Sequence, residues 1–198
     1  MRKGAIIIWL FILFVGIVAL FWHNELVYNL PTPVPTNYKV VNLGEKIDLS
    51  SKIKPGTKPV FLHFFNPDCP CSRFNISYVK SLVKQYSKEV TFAIVVMSSD
   101  KDYTAQDIRE KFDLNVPVLF DADLAKRCGI YSTPQAVIIN NDQKMYYRGN
   151  YNRSRYCTDK KTNYAQLALD SLLHQNFNPV FDPYALRAYG CQLPKCTK

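Results

Sequence analysis

The longest apolar run in the chain, Ala5 to Trp22 (AIIIWLFILFVGIVALFW), contains neither a charge nor a proline. At about 1.5 Å per residue a helix of that length spans roughly 27 Å, close to the hydrocarbon core of a bilayer. Arg2 and Lys3 precede it and Glu25 is the first charge after it. The positive-inside rule then keeps the N-terminus in the cytoplasm and sends the rest outward. A cleaved signal peptide would need a small-residue cleavage site, and FWHNELVYNL offers none. Residues 1–23 therefore read as an uncleaved signal-anchor, with Trp9 and Trp22 suited to the membrane interfaces. The prolines of PTPVPT, Pro31 to Thr36, favour an extended spacer, so residues 24–37 read as a linker.

Beyond Tyr38 the pattern alternates between strand and helix periods. VFLHFF (Val60 to Phe65) is a short apolar run of strand length. Ser72 to Lys88 places Phe74, Tyr78, Val79, Leu82, Val83 and Tyr86 on one helical face and its lysines on the other. VTFAIVVM (Val90 to Met97) reads as a strand covered on both sides. A shorter helix is predicted over Asp102 to Phe112, a third strand over Val116 to Asp121, and a short helix over Asp123 to Cys128, ended by Gly129. Gln135 to Asn140 and Lys144 to Arg148 form a hairpin about Asn141-Asp142-Gln143, and Asn163 to Leu173 closes the pattern as a helix. Parallel crossovers followed by an antiparallel hairpin predict an α/β domain, a mixed sheet flanked by helices, over residues 38–176. Residues 177–198 read as a cysteine-containing tail.

Composition narrows the function. With 198 residues, 47% hydrophobic and 21% charged, the chain is neither disordered nor fibrous. Neither G-x-G-x-x-G nor G-x-x-x-x-G-K-[ST] occurs, which argues against a dinucleotide or P-loop enzyme. The net charge of +9 is scattered, without an arginine-rich run or a recognition motif. It suits a solvated basic surface beside anionic lipid, and no nucleic-acid partner is expected.

Six cysteines remain to be explained. Cys69 and Cys71, in FFNPDCPCSRFN, sit where the first strand hands over to the first long helix. A helix N-terminus stabilises a thiolate, the species that attacks disulfides, and a neighbouring thiol can resolve the mixed disulfide. Cys191 and Cys196, in GCQLPKC, are placed to close a local loop or tether the tail as a structural disulfide. Cys128 reads as a buried small hydrophobe.

The anchor, HFFNPDCPCSRFN and GIYSTPQAVIINNDQKMYYRG together resemble the thioredoxin-like superfamily. Within it they are similar to membrane-tethered, extracytoplasmic thiol-disulfide oxidoreductases and redoxin-type proteins. The resemblance implies a thioredoxin-like fold and a catalytic domain in the periplasm or outside the cell, held by one span of the inner (plasma) membrane. Its partners would be protein thiols and disulfides plus a membrane or periplasmic redox partner, and no organic cofactor is implied. Cys69 matches the first position of the family's Cys-X-X-Cys motif. Ser72 stands at the fourth, and the second thiol comes one residue early at Cys71. Thr133-Pro134 matches the cis-proline landmark, whose preceding residue hydrogen-bonds a bound peptide. His63 takes the place of a buried acid that accepts a thiol proton, and Cys157 is an alternative resolving thiol. Asp68, whose charge opposes a thiolate at Cys69, reads as a solvated loop residue.

Two other functions compete. A redoxin-type peroxidase would need P-x-x-x-[ST]-x-x-C, but Leu62 and Asn66 stand where the proline and hydroxyl residue belong. A copper(I) metallochaperone would use the soft thiolates of Cys69 and Cys71 with His63. The lack of any histidine between His63 and His174 weakens that reading, and no metal site is assigned.

Overall fold

The computed structural model describes residues 2–26, 30–49, 53, 56–98, 103–174 and 180–193. The apolar run forms helix α1 (Arg2–Phe21), continued by a π-helical turn over Trp22–Leu26. The span is long and apolar enough to cross a membrane, and none of it is buried against the rest of the chain.

The globular part is built on strands β1 (Val60–Phe65), β2 (Thr91–Val96), β3 (Val118–Leu119), β5 (Gln135–Ile139) and β6 (Met145–Gly149). They form one sheet in the order β3-β2-β1-β5-β6. The β1, β2 and β3 strands run parallel, while β5 is antiparallel to β1 and β6 to β5. Helices α2 (Pro70–Tyr86), α3 (Ala105–Phe112), α4 (Ala122–Arg127) and α5 (Tyr164–His174) connect or follow them. This is the thioredoxin-like arrangement of a mixed sheet between helices.

The central position of β1 explains why VFLHFF is apolar but for His63, since both of its faces are covered. Phe61 and Phe65 meet α2, α3 and α5 through Ile76, Val79, Ile108 and Ala168. Val60, Leu62 and Phe64 meet Val41 and Ile47 of the preceding segment and Leu124 and Cys128 near α4. Helix boundaries follow their caps. Thr104 and Asp107 form a capping box that starts α3, later than the expected Asp102, which lies outside the described residues. Asp121 caps α4, and Gly129 at φ +66° turns the chain away after it. The third strand is shorter than Val116 to Asp121, because Pro117 has no N–H to give and Asp121 is taken by the cap.

The largest departure from the sequence reading is at the two ends of the domain. A short helix α6 (Pro183–Leu186) and a strand β7 (Cys191–Gln192) fold back onto the body. The β7 strand pairs antiparallel with β4 (Ser132–Thr133), Gln192 facing Ser132 and Cys191 facing Thr133. Ala185, Ala188, Tyr189 and Cys191 are buried. The proline-rich segment is not a free spacer either: Pro31 bridges to Tyr189, the Thr32 N–H donates to the Ala188 carbonyl at 2.9 Å, and Thr32 is buried. An extended proline-rich strand needs little rearrangement to pair in this way.

Candidate functional site

The loop after β1 is locked before the first helix begins. Asn66 Oδ1 accepts the Asp68 N–H at 2.8 Å, and the Asn66 N–H donates to Ser72 Oγ at 3.2 Å. Cys69 takes the N-cap position of α2 in extended conformation, with Pro70 following at the first helical position. Its side chain makes no capping hydrogen bond. The sulfur thus sits uncommitted to the cap at the N-terminal end of a 17-residue helix.

Cys69 is bonded to Cys191 at an S–S distance of 2.02 Å, across 122 residues of sequence. Cys71 is reduced, and the sulfurs of Cys69, Cys71 and Cys191 all lie within 4.8 Å of one another. All three residues are buried and form a cluster of their own. This corrects the pairing of Cys191 with Cys196: antiparallel pairing to β4 carries Cys191 to α2, and Cys196 lies outside the described residues. It also makes Cys191, rather than Cys71 or Cys157, the partner of Cys69 in this oxidised state. The Thr133-Pro134 peptide bond is cis. Thr133 is buried opposite Cys191, so the backbone assigned to a bound peptide is covered by the chain's own β7.

His63 lies in the middle of β1 with its Nδ1 2.7 Å from the Tyr151 hydroxyl and its ring stacked on Phe65. Burial lowers its pKa to about 3. A group so hard to protonate is a poor acceptor for a thiol proton at neutral pH, so its geometry is that of a buried neutral imidazole. Cys157 donates its S–H to Asn75 Oδ1 at 2.9 Å, while Asn75 Nδ2 donates to the Cys71 carbonyl at 3.1 Å. Burial pushes the Cys157 thiol up to about 12, which leaves little thiolate for a resolving role. Cys128 is likewise pushed up to about 12 by burial, and packs as a hydrophobe. Asp68 is half-buried rather than solvated: its carboxylate accepts from the Tyr103 hydroxyl at 2.7 Å and the Ser98 hydroxyl at 3.3 Å.

Three residues escaped the sequence reading. Asn75 is one helical turn beyond Cys71 on the same face, a signal that was legible. Arg155 is buried close enough to Cys71 for the two to interact electrostatically. Gly190 directly precedes Cys191 at φ +115°, where its missing side chain matters.

Comparison with known proteins gives the fold and a family. Residues 39–193 match a protein family described as a domain of unknown function, DUF6436. A hypothetical protein from Sinorhizobium meliloti 1021 superposes with a TM-score of 0.65 at 15% identity, covering 81% of this chain and 98% of its own. An uncharacterized conserved protein from Geobacillus kaustophilus gives 0.60 at 20% identity, over 76% and 93%. A secreted Mycobacterium tuberculosis disulfide oxidoreductase homologous to E. coli DsbE gives 0.40 at 24% identity, over 46% and 68%. A search of the curated proteins found no match.

Proposed function

The chain belongs to the DUF6436 family, and we propose that it is a thiol-disulfide oxidoreductase whose reacting sulfur is Cys69. One observation carries this reading. Cys69 caps α2, is bonded to Cys191, and has the Cys71 sulfur within 4.8 Å of that bond. In the reduced enzyme the Cys69 thiolate, favoured by the helix N-terminus, attacks one sulfur of a substrate disulfide. The other substrate sulfur leaves as a thiolate and takes a proton from solvent. The Cys191 thiolate then attacks Cys69, closing the Cys69–Cys191 bond and releasing the first substrate sulfur. Two electrons have passed to the substrate, and a dithiol partner restores the enzyme by the reverse exchange. With a dithiol substrate and a disulfide partner the same steps run as oxidation. Cys71 is a second thiol able to enter the exchange at Cys69, with Thr133 and Pro134 orienting the substrate chain. His63 enters only as a neutral part of the wall. The α1 span holds the domain at the inner membrane, facing the periplasm or exterior, where disulfides persist.

Stopped-flow exchange with a small aromatic disulfide, followed by mass mapping of the products, tests this. Cys69→Ser is expected to abolish exchange. Cys71→Ser alone keeps Cys191 as resolver and accumulates no mixed disulfide, whereas Cys71→Ser combined with Cys191→Ser traps one on Cys69. Full activity in Cys69→Ser would sink the assignment.

The three-sulfur cluster favours one second reading, copper(I) binding. Reduction would turn the disulfide into two thiolates beside Cys71, a soft trigonal donor set. Reduced protein that took up copper(I) tightly but exchanged no disulfide would favour metal delivery over redox work.

A further inference from the structure

We propose that β7 is a tethered stand-in for the substrate, and that the β4 edge it occupies selects extended peptides with glycine immediately before the reacting cysteine. The inference rests on the redox reading of Cys69 and goes beyond it by naming the substrate class and the residue that sets it.

The structure holds a cysteine-bearing strand in the reacting position. Cys191 faces Thr133 across the antiparallel pair and is bonded to Cys69. Strand addition of this kind supplies affinity through the main chain, and leaves selectivity to the few positions whose side chains meet the body. Those positions can be read along the segment. The Tyr189 hydroxyl donates to the Asn152 carbonyl at 2.6 Å, and the Tyr189 carbonyl accepts from Ser132 Oγ at 3.0 Å. The Gly190 carbonyl accepts from Thr32 Oγ1 at 3.3 Å. Leu193 closes the run, its N–H donating to the Tyr131 carbonyl at 3.1 Å beside a cavity of about 780 Å³ lined by Tyr38, Met97, Ile130 and Tyr131.

Position 190 is the strictest. A Cβ there would run into the carbonyl oxygen of Thr133, well inside van der Waals contact, and would lie 3.0 Å from its carbonyl carbon and 3.4 Å from Pro134 Cδ. These are backbone and ring atoms of the β4 segment, which cannot swing aside as a flexible side chain would. The φ of +115° penalises any side chain there independently. A strand bringing its cysteine to Cys69 in this register therefore needs glycine one residue earlier. While Cys191 is bonded, the same edge is closed to other strands, and Cys69 is buried beneath it.

The test uses the full chain in detergent, reduced with a phosphine that is removed before the probes are added, in wild-type and Cys191→Ser forms. The probes are two activated peptides, Ala-Tyr-Gly-Cys-Gln-Leu and the same sequence with alanine for glycine, each carrying thionitrobenzoate on its cysteine. Cys69 thiolate attacks the peptide sulfur, the reagent's S–S bond breaks, and thionitrobenzoate leaves as a coloured anion. In Cys191→Ser the glycine peptide should react about tenfold or more faster than the alanine peptide, the discrimination a single misplaced methyl commonly produces. Adding Gly190→Ala to Cys191→Ser unseats β7 and should speed the glycine peptide. The same methyl thus slows exchange when the probe carries it and hastens exchange when the tether does. Wild type that has not been reduced should give no peptide adduct on Cys69. Equal rates for the two peptides would overturn the selectivity, and no acceleration on adding Gly190→Ala would overturn the occupancy by β7. If Cys69 failed to react with either peptide and also with the small aromatic disulfide, the redox reading itself would fall.

Discussion

Burial without an opposite charge gives His63 a consequence that can be measured. Burial lowers its folded pKa to about 3, from an ordinary histidine value of about 6.5. Between those values the unfolded chain binds a proton that the folded one refuses. Stability from this group is complete above about 6.5, falls as pH drops by up to about 1.4 kcal/mol per unit, and levels off once the folded imidazole itself protonates. His63→Gln keeps a polar partner for the Tyr151 hydroxyl and does not titrate. Urea unfolding in detergent at pH 7, 5.5 and 4 should show a steeper acid loss for wild type than for His63→Gln. Parallel losses would mean that the imidazole is already charged in the fold. The sequence marked His63 as a residue of interest from its place before Cys69, but the role turns on burial among Phe65 and Tyr151, which no local pattern records.

At the scale of elements, whatever obeys a local period was legible, and whatever depends on distant pairing was not. VFLHFF, TFAIVV and the hairpin strands declared themselves by length and apolarity because both faces of β1 and β2 are covered. The α2 helix declared its inward face through spacing, although it starts at Pro70, two residues before the expected Ser72. By contrast β4 and β7 are two residues long and acquire strand geometry only from each other. The Cys69–Cys191 bond joins positions 122 residues apart, and spacing does not encode such a connection. The clamp that brings β7 home is equally non-local. Asn150 Nδ2 donates to the Tyr184 carbonyl at 2.6 Å and the Arg187 carbonyl at 2.7 Å, gripping α6 at both ends. Asn150→Ala should destabilise this segment by about 2 kcal/mol, since two part-buried carbonyls lose their donor. Hydrogen exchange should quicken at residues 183–192 while β1 and β2 stay protected. Equal loss of protection everywhere would show that α6 and β7 unfold only with the whole domain.

For the whole molecule, helix α1 and the thiol cluster belong to one connected structure. Glu25, just past α1, pairs with Arg155 at 2.8 Å and accepts from the Tyr156 hydroxyl at 2.7 Å. Arg155 is buried and its charge reaches Cys71, so the chain leaving α1 is fastened beside the thiol cluster. The Pro31–Thr32 segment then runs along β7. With α1 in a membrane as proposed, a site fastened so near its end would work close to the lipid surface, where the net charge of +7 that remains without Arg2 and Lys3 would favour anionic headgroups. With Arg2 and Lys3 before the span, that surface should be the outer one. Protease added to intact spheroplasts should therefore digest the domain and leave a short membrane-embedded fragment containing α1, and alkaline carbonate should not extract that fragment. Digestion only after the membrane is opened with detergent would place the domain in the cytoplasm. There a reducing thiol pool would work against the Cys69–Cys191 bond, and the disulfide-exchange reading would lose its compartment.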